Sequence, residues 1–262
     1  AYGDYRIALA YNDNGLKEEW SLANLLNLDV DVKLTSTERV HAFFKPLDKG
    51  GNVTRFDFGG DNGENEEFEV QLDGNADAFF FEGELGPILS GITNRDVRID
   101  LPFAAGLMPM LMQNGVWVED AFTGVAWTIP ARNSRLLDIS NMDVTFFIGV
   151  DRVSTPALKN SLGDLDDDDN NVFGVATFIE ANEGYWEAGY GYIDGAGDQD
   201  DLSYNNATLS FTRRYAGLLS NSVRFIWNFG QNTDPGTNQT ADGYLIVIEN
   251  QLITPKPLTL VP

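Results

Sequence analysis

Val223-Arg224-Phe225-Ile226-Trp227-Asn228-Phe229 alternates without a break. Successive side chains of a strand point to opposite sides, so Val223, Phe225, Trp227 and Phe229 share one face and Arg224, Ile226 and Asn228 the other. The same period of two extends outward from this stretch. Leu209, Phe211 and Tyr215 alternate with Thr208, Ser210, Thr212 and Arg214. Trp186, Ala188, Tyr190 and Tyr192 alternate with Glu187, Gly189 and Gly191. Phe173, Val175, Thr177 and Ile179 alternate with Gly174, Ala176, Phe178 and Glu180, and Val144, Phe146, Ile148 and Val150 with Thr145, Phe147, Gly149 and Asp151. Alternation sustained over about eight to ten residues predicts β-strands.

Connections alternate in length along this part of the chain. Asn182-Glu183-Gly184 and Ala216–Ser220 read as short turns, whereas Arg152–Asn171, Asp194–Asn205 and Gly230–Asp242 are long and polar. Short turns at one end and long loops at the other predict an up-and-down antiparallel arrangement. Parity requires a further strand between 107–113 and 142–151, placed at Ala121–Ile129; a loop folded into the pore is the other reading of that region. Nearer the N-terminus, Leu26, Leu28, Val30, Val32 and Leu34 alternate with Asn27, Asp29, Asp31, Lys33 and Thr35. Phe79, Phe81 and Leu85 alternate with Phe80, Glu82 and Glu84, and Val97, Ile99 and Leu101 with Arg98 and Asp100. Pro102–Gly106 reads as a short turn, and Leu16–Leu26 leaves room for a turn or two of helix.

Composition narrows the function. The 262 residues carry 17 Lys and Arg against 40 Asp and Glu, a net charge of −23. Such an excess argues against nucleic acid and against docking on an anionic membrane surface, both of which select clustered cations. No cysteine is present, so disulfides and thiolate metal sites are excluded. His41 is the only histidine, no Gly-x-Ser-x-Gly elbow occurs, and no catalytic constellation is expected. Gly189-Tyr190-Gly191 lies within a predicted strand and opens no helix, so it reads as small residues on a polar face, not as a phosphate loop. Alternate carboxylates at Asp164, Asp166 and Asp168 suit a hard cation such as Ca²⁺, although the EF-hand spacing fails; a solvated acidic loop is the other reading.

Alternation does not by itself separate a membrane barrel from a soluble sandwich. Strands of about nine to eleven residues match a tilted membrane crossing. Aromatics recur near strand ends, at Trp186, Tyr192, Tyr215, Phe229 and Tyr244, where interfacial girdles sit. Polar faces mixing Gly with Arg and Glu suit a wet lumen. Arg213 falls on the apolar face beside a short turn, where its long side chain can reach the interface. The expectation is a single all-β domain over 1–262, an up-and-down transmembrane barrel of about 12–16 strands. Lumen candidates are Glu82, Glu84, Arg98, Asp100, Glu180, Glu187, Arg214 and Arg224. The final Pro257–Pro262 reads as the start of a further strand, which suggests truncation. The alternative is a secreted or surface-attached soluble β protein that binds Ca²⁺ or a ligand through acidic loops.

The arrangement of 171–195 and 206–228 resembles Gram-negative porins. Arg95-Asp96-Val97-Arg98-Ile99-Asp100-Leu101-Pro102, with Gly106 and Gln113 beyond, is similar to the segment preceding the constriction in porins related to the phosphate-selective group. That resemblance covers the last two thirds of the chain. It implies a homotrimeric outer-membrane diffusion channel for small hydrophilic solutes or ions, in contact with lipid bilayer and lipopolysaccharide, without a cofactor. Acids outnumber bases among the lumen candidates, so moderate cation preference is expected.

Overall fold

The computed structural model describes residues 1–13, 15, 18–59, 67–159, 165, 170–233 and 238–253. The protein is all-β, an antiparallel sheet of 15 strands with little helix, and hydrogen bonds among the described residues do not close the sheet. No helix among those residues is long and apolar enough to cross a membrane. The chain divides into two compact units, Ala1–Glu82 and Gly83–Pro262.

The first unit is organised by one long strand, β2 (Glu18–Lys33). Strand β1 (Tyr2–Asp13) pairs along the whole of one edge, from Tyr2↔Asp29 to Asp13↔Glu18. The other edge is divided. β3 (Arg39–Phe44) takes Leu28–Lys33, and β5 (Asn52–Phe58) takes Trp20–Asn24. Two short strands, β4 (Asp48–Lys49) and β6 (Glu67–Glu69), flank β5, and β7 (Ala76–Glu84) pairs with β3. Leu16–Leu26 is therefore not helical where it is described. Residues 18–26 pair with β1, and 20–24 with β5 on the other edge as well, and that pairing overrides any local helical tendency.

The second unit opens with α1 (Leu85–Thr93), the single α-helix among the described residues. Pro87 falls in its first turn, where a missing N–H costs nothing, and Asn94 closes it in the left-handed conformation. Strands β8 (Pro102–Met112), β9 (Val118–Ser134), β10 (Ile139–Asp151), β11 (Asn171–Ala181), β12 (Gly184–Asp194), β13 (Tyr204–Tyr215), β14 (Leu219–Phe229) and β15 (Gly243–Leu252) then pair in sequence order. β9 is the strand that parity required. Two expectations nearby fail. Pro102–Gly106 is not a turn but the first half of β8; proline is tolerated as the first residue of a strand. Val97–Leu101 is not a strand. Its backbone lies against α1 instead: the Leu85 N–H donates to Leu101 O at 3.1 Å and the Val97 N–H to Ser90 Oγ at 2.9 Å. Gly86 permits that approach, since a Cβ there would fall 2.1 Å from Ile99 O.

Turn chemistry sets the register. Asn182 and Glu183 sit at φ 57° and 58° between the closing pair Ala181↔Gly184, a two-residue turn whose twist matches its strands. At the opposite end the long connections pack on one another. Val153, Ala157, Leu158, Tyr204 and Ala241 are buried there. The Gln231 side chain ties two of these connections together: its Nε2 donates to Leu202 O at 2.8 Å, and its Oε1 accepts from the Thr240 and Ala241 N–H groups at 2.8 Å each.

Candidate functional site

Cross-strand register fixes which residues share a face. One row reads Ile129, Val144, Thr177, Ala188, Leu209, Phe225 and Ile246 across β9 to β15. The next reads Phe103, Trp127, Phe146, Val175, Tyr190, Ala207, Trp227 and Tyr244. On the opposite face one row reads Asp143, Phe178, Glu187, Ser210 and Arg224. Burial is inverted relative to a water-soluble sheet. Leu209 on the apolar face is 47% exposed, whereas neighbouring Ser210 on the polar face is 1% exposed and Arg224 3%. Phe173, Tyr190, Val223, Phe225, Trp227, Tyr244, Ile246 and Ile248 are exposed, and Thr208 and Ser222 are buried. In the first unit β1 is exposed on both faces. Tyr5, Ile7, Leu9 and Tyr11 of β1 are exposed, while Asp57 of β5 is buried, bonded to Ser21 and paired with Arg55 at 3.0 Å.

The polar face of the second unit is filled from a turn. Gln113 and Asn114 at φ 51° and 57°, then Gly115 at 79°, reverse the chain between β8 and β9. The reversal lays Trp117 against β12, so that a Cβ on Gly189 would fall 2.3 Å from the indole ring. Trp117 Nε1 donates to Asn206 Oδ1 at 2.5 Å, and Thr208 Oγ1 donates to the buried Gln113 Oε1 at 2.9 Å. Trp117 also meets Phe147 edge-on, with ring centroids 6.1 Å apart. Phe147 covers Gly174 and Phe122 covers Gly149 in the same manner. Gly149, Gly174 and Gly189 on this face are thus seats for rings supplied by other segments. The extra strand of this region is present as β9, and the turn leading into it lies over the polar face.

Four of the eight lumen candidates come together. Glu180, Glu187, Arg214 and Arg224 share the polar face of β11 to β14. Glu187 accepts a hydrogen bond from Ser210 Oγ at 3.0 Å, and Arg224 is ion-paired with Glu249 of β15. Glu180 and Arg214 line a hollow of about 740 Å³ at the short-turn end, with Asp138 and Glu183. The other four lie elsewhere. Arg98 pairs with Asp96 at 2.9 Å in the stretch before β8 and is 88% exposed, and Asp100 is exposed in the same stretch. Glu84 is exposed at the N-cap position of α1 and makes no side-chain cap there. Glu82 belongs to the first unit, where it meets Arg39 Nε and His41 Nε2, each at 3.2 Å. Arg213, on the apolar face, pairs with Glu183 beside the short turn and lies over the Tyr215 ring. Asp164, Asp166 and Asp168 lie outside the described residues. Among the described residues no three His, Asp or Glu side chains are grouped to hold a metal ion.

Sequence reading named Gln113 only within the porin-like segment, and missed Trp117, Asn206 and Glu249 as the partner of Arg224. The available signal was glycine on the polar faces of neighbouring predicted strands, at Gly149, Gly174, Gly189 and Gly191. A face stripped of side chains on adjacent strands needs bulk from elsewhere. No protein-family model matches the chain, and no curated protein is similar to it.

Proposed function

We propose that this chain forms the wall of an outer-membrane β-barrel of the porin kind, a passive diffusion channel for small hydrophilic solutes or ions. The inversion of burial carries this reading. Exposed rows of Ile, Leu, Phe, Trp and Tyr beside buried Ser, Thr and Arg are unfavourable in water, where apolar surface costs roughly 25 cal/mol per Å². In a bilayer the same arrangement is the favoured one, with lipid against the apolar face and water or plug residues against the polar one. Strands β11, β12 and β14, of 11 residues each, have the length a tilted crossing requires. Trp186 tilted against Phe211 at 4.4 Å, toward the short turns, and Trp227 stacked on Phe229 at 4.2 Å, toward the long connections, suit the two interfaces. Closure of the sheet into a barrel, lipopolysaccharide around the long connections and a homotrimeric assembly belong to the same proposal.

The test is conductance of the purified protein in a planar bilayer, with reversal potentials in a salt gradient. Discrete conductance steps are expected, with moderate cation preference that weakens as salt rises, because exposed acidic loops are screened beyond about 8 Å at physiological ionic strength. Arg224→Met should strengthen that preference by leaving Glu249 uncompensated on the polar face. Recovery as a monodisperse protein from detergent-free buffer, with no conductance, would sink the proposal.

A further inference from the structure

Beneath the β8–β9 turn lies a cavity of about 310 Å³, within the usual size range for small-molecule sites. Its lining includes Trp117, Phe122, Phe147 and Tyr204, together with Glu119 and Asp120, and contains no Lys, Arg or His. Asp120 is half-buried and accepts three hydrogen bonds, all from neutral donors: the Ala121 N–H at 2.8 Å, the Ser154 N–H at 2.9 Å and the Ser154 hydroxyl at 3.1 Å. Among the described residues no cation pairs with it. Its negative charge is therefore held in place by dipoles and left without a counter-charge. The aromatic walls are held just as firmly. Trp117 is seated on Gly189 and bonded to Asn206, and the Tyr204 hydroxyl is bonded to Thr155 Oγ1 at 2.8 Å.

We propose that this cavity binds a small organic cation, an ammonium head on an apolar or hydroxylated body. Aromatic walls attract such a head through the negative faces of their rings, and more strongly when water is excluded. An uncompensated carboxylate adds the charge that separates a cation from a neutral molecule of the same shape. A preformed lining lowers the ordering cost of binding. An anion is disfavoured by Asp120 and Glu119, and a bare metal ion by the small number of oxygen ligands and the apolar surround.

Choline and its neutral carbon isostere 3,3-dimethylbutan-1-ol provide the test. Each is titrated into the purified full chain by calorimetry at constant ionic strength. Choline should saturate and should bind about tenfold more tightly than the alcohol, a ratio fitting a cation–π and carboxylate contribution. Asp120→Asn should erase most of that ratio while leaving the alcohol unchanged, and Trp117→Leu should weaken both. If Asp120→Asn does not fold, Glu119→Gln at the exposed rim should reduce the ratio in the same direction. Equal affinities for the two probes, or no saturable choline signal, would overturn the proposal. The titration needs no bilayer, so its outcome is independent of whether the protein conducts.

Discussion

Leu209→Arg is expected to lower the unfolding free energy by about 2–4 kcal/mol when the protein is folded in phospholipid vesicles. Leu209 lies midway along β13 in the row between Ala188 and Phe225, and it is 47% exposed. On a soluble sheet a half-exposed leucine contributes little, and surface substitutions usually fall within about 0.5 kcal/mol. At the middle of a bilayer the guanidinium must instead reach an interface or draw water to itself, so magnitude separates the two environments. The comparison variant is Leu136→Arg, in the short connection between β9 and β10, where the leucine is 93% exposed. Its expected change is near zero. Denaturant titrations of both variants in vesicles provide the measurement. A loss below about 1 kcal/mol for Leu209→Arg would remove this face from the lipid.

Gly189→Ala is the second large effect. A methyl group there would fall 2.3 Å from the Trp117 ring, and moving the ring aside would strain or break its hydrogen bond to Asn206. Overpacking of this kind costs about 1–3 kcal/mol. The displaced indole also forfeits its hydrogen bond, worth about 1 kcal/mol. Conductance should rise, because the turn that lies across the polar face loses its seat. A double-mutant cycle isolates the cause: in a Trp117→Ala background, Gly189→Ala should cost little. If the two changes instead add within about 0.5 kcal/mol, Trp117 is not seated on Gly189 in solution.

Strand identity in the C-terminal half was legible because a period of two is a local property. Val223 to Phe229 declares both its extended conformation and its two faces without reference to any other part of the chain. The short turn at Asn182-Glu183 was legible for the same reason. Helix α1 was not, because Leu85–Thr93 is short and its neighbour Val97–Leu101 alternates like a strand. What prevents pairing there is the approach of Ile99 to Gly86, a contact between segments.

The candidate site divides along the same line. The sequence by itself determined that Glu180, Glu187, Arg214 and Arg224 lie on polar faces opposite an apolar row. Their common face follows from strand register, which the turns transmit from one strand to the next. Only the tertiary structure decided that Arg224 is buried against Glu249, that Arg98 and Asp100 leave the sheet, and that Trp117 crosses to Asn206, 89 residues along the chain. Alternation tells each residue which way to point. What it meets there depends on where distant segments arrive, and no local period encodes that.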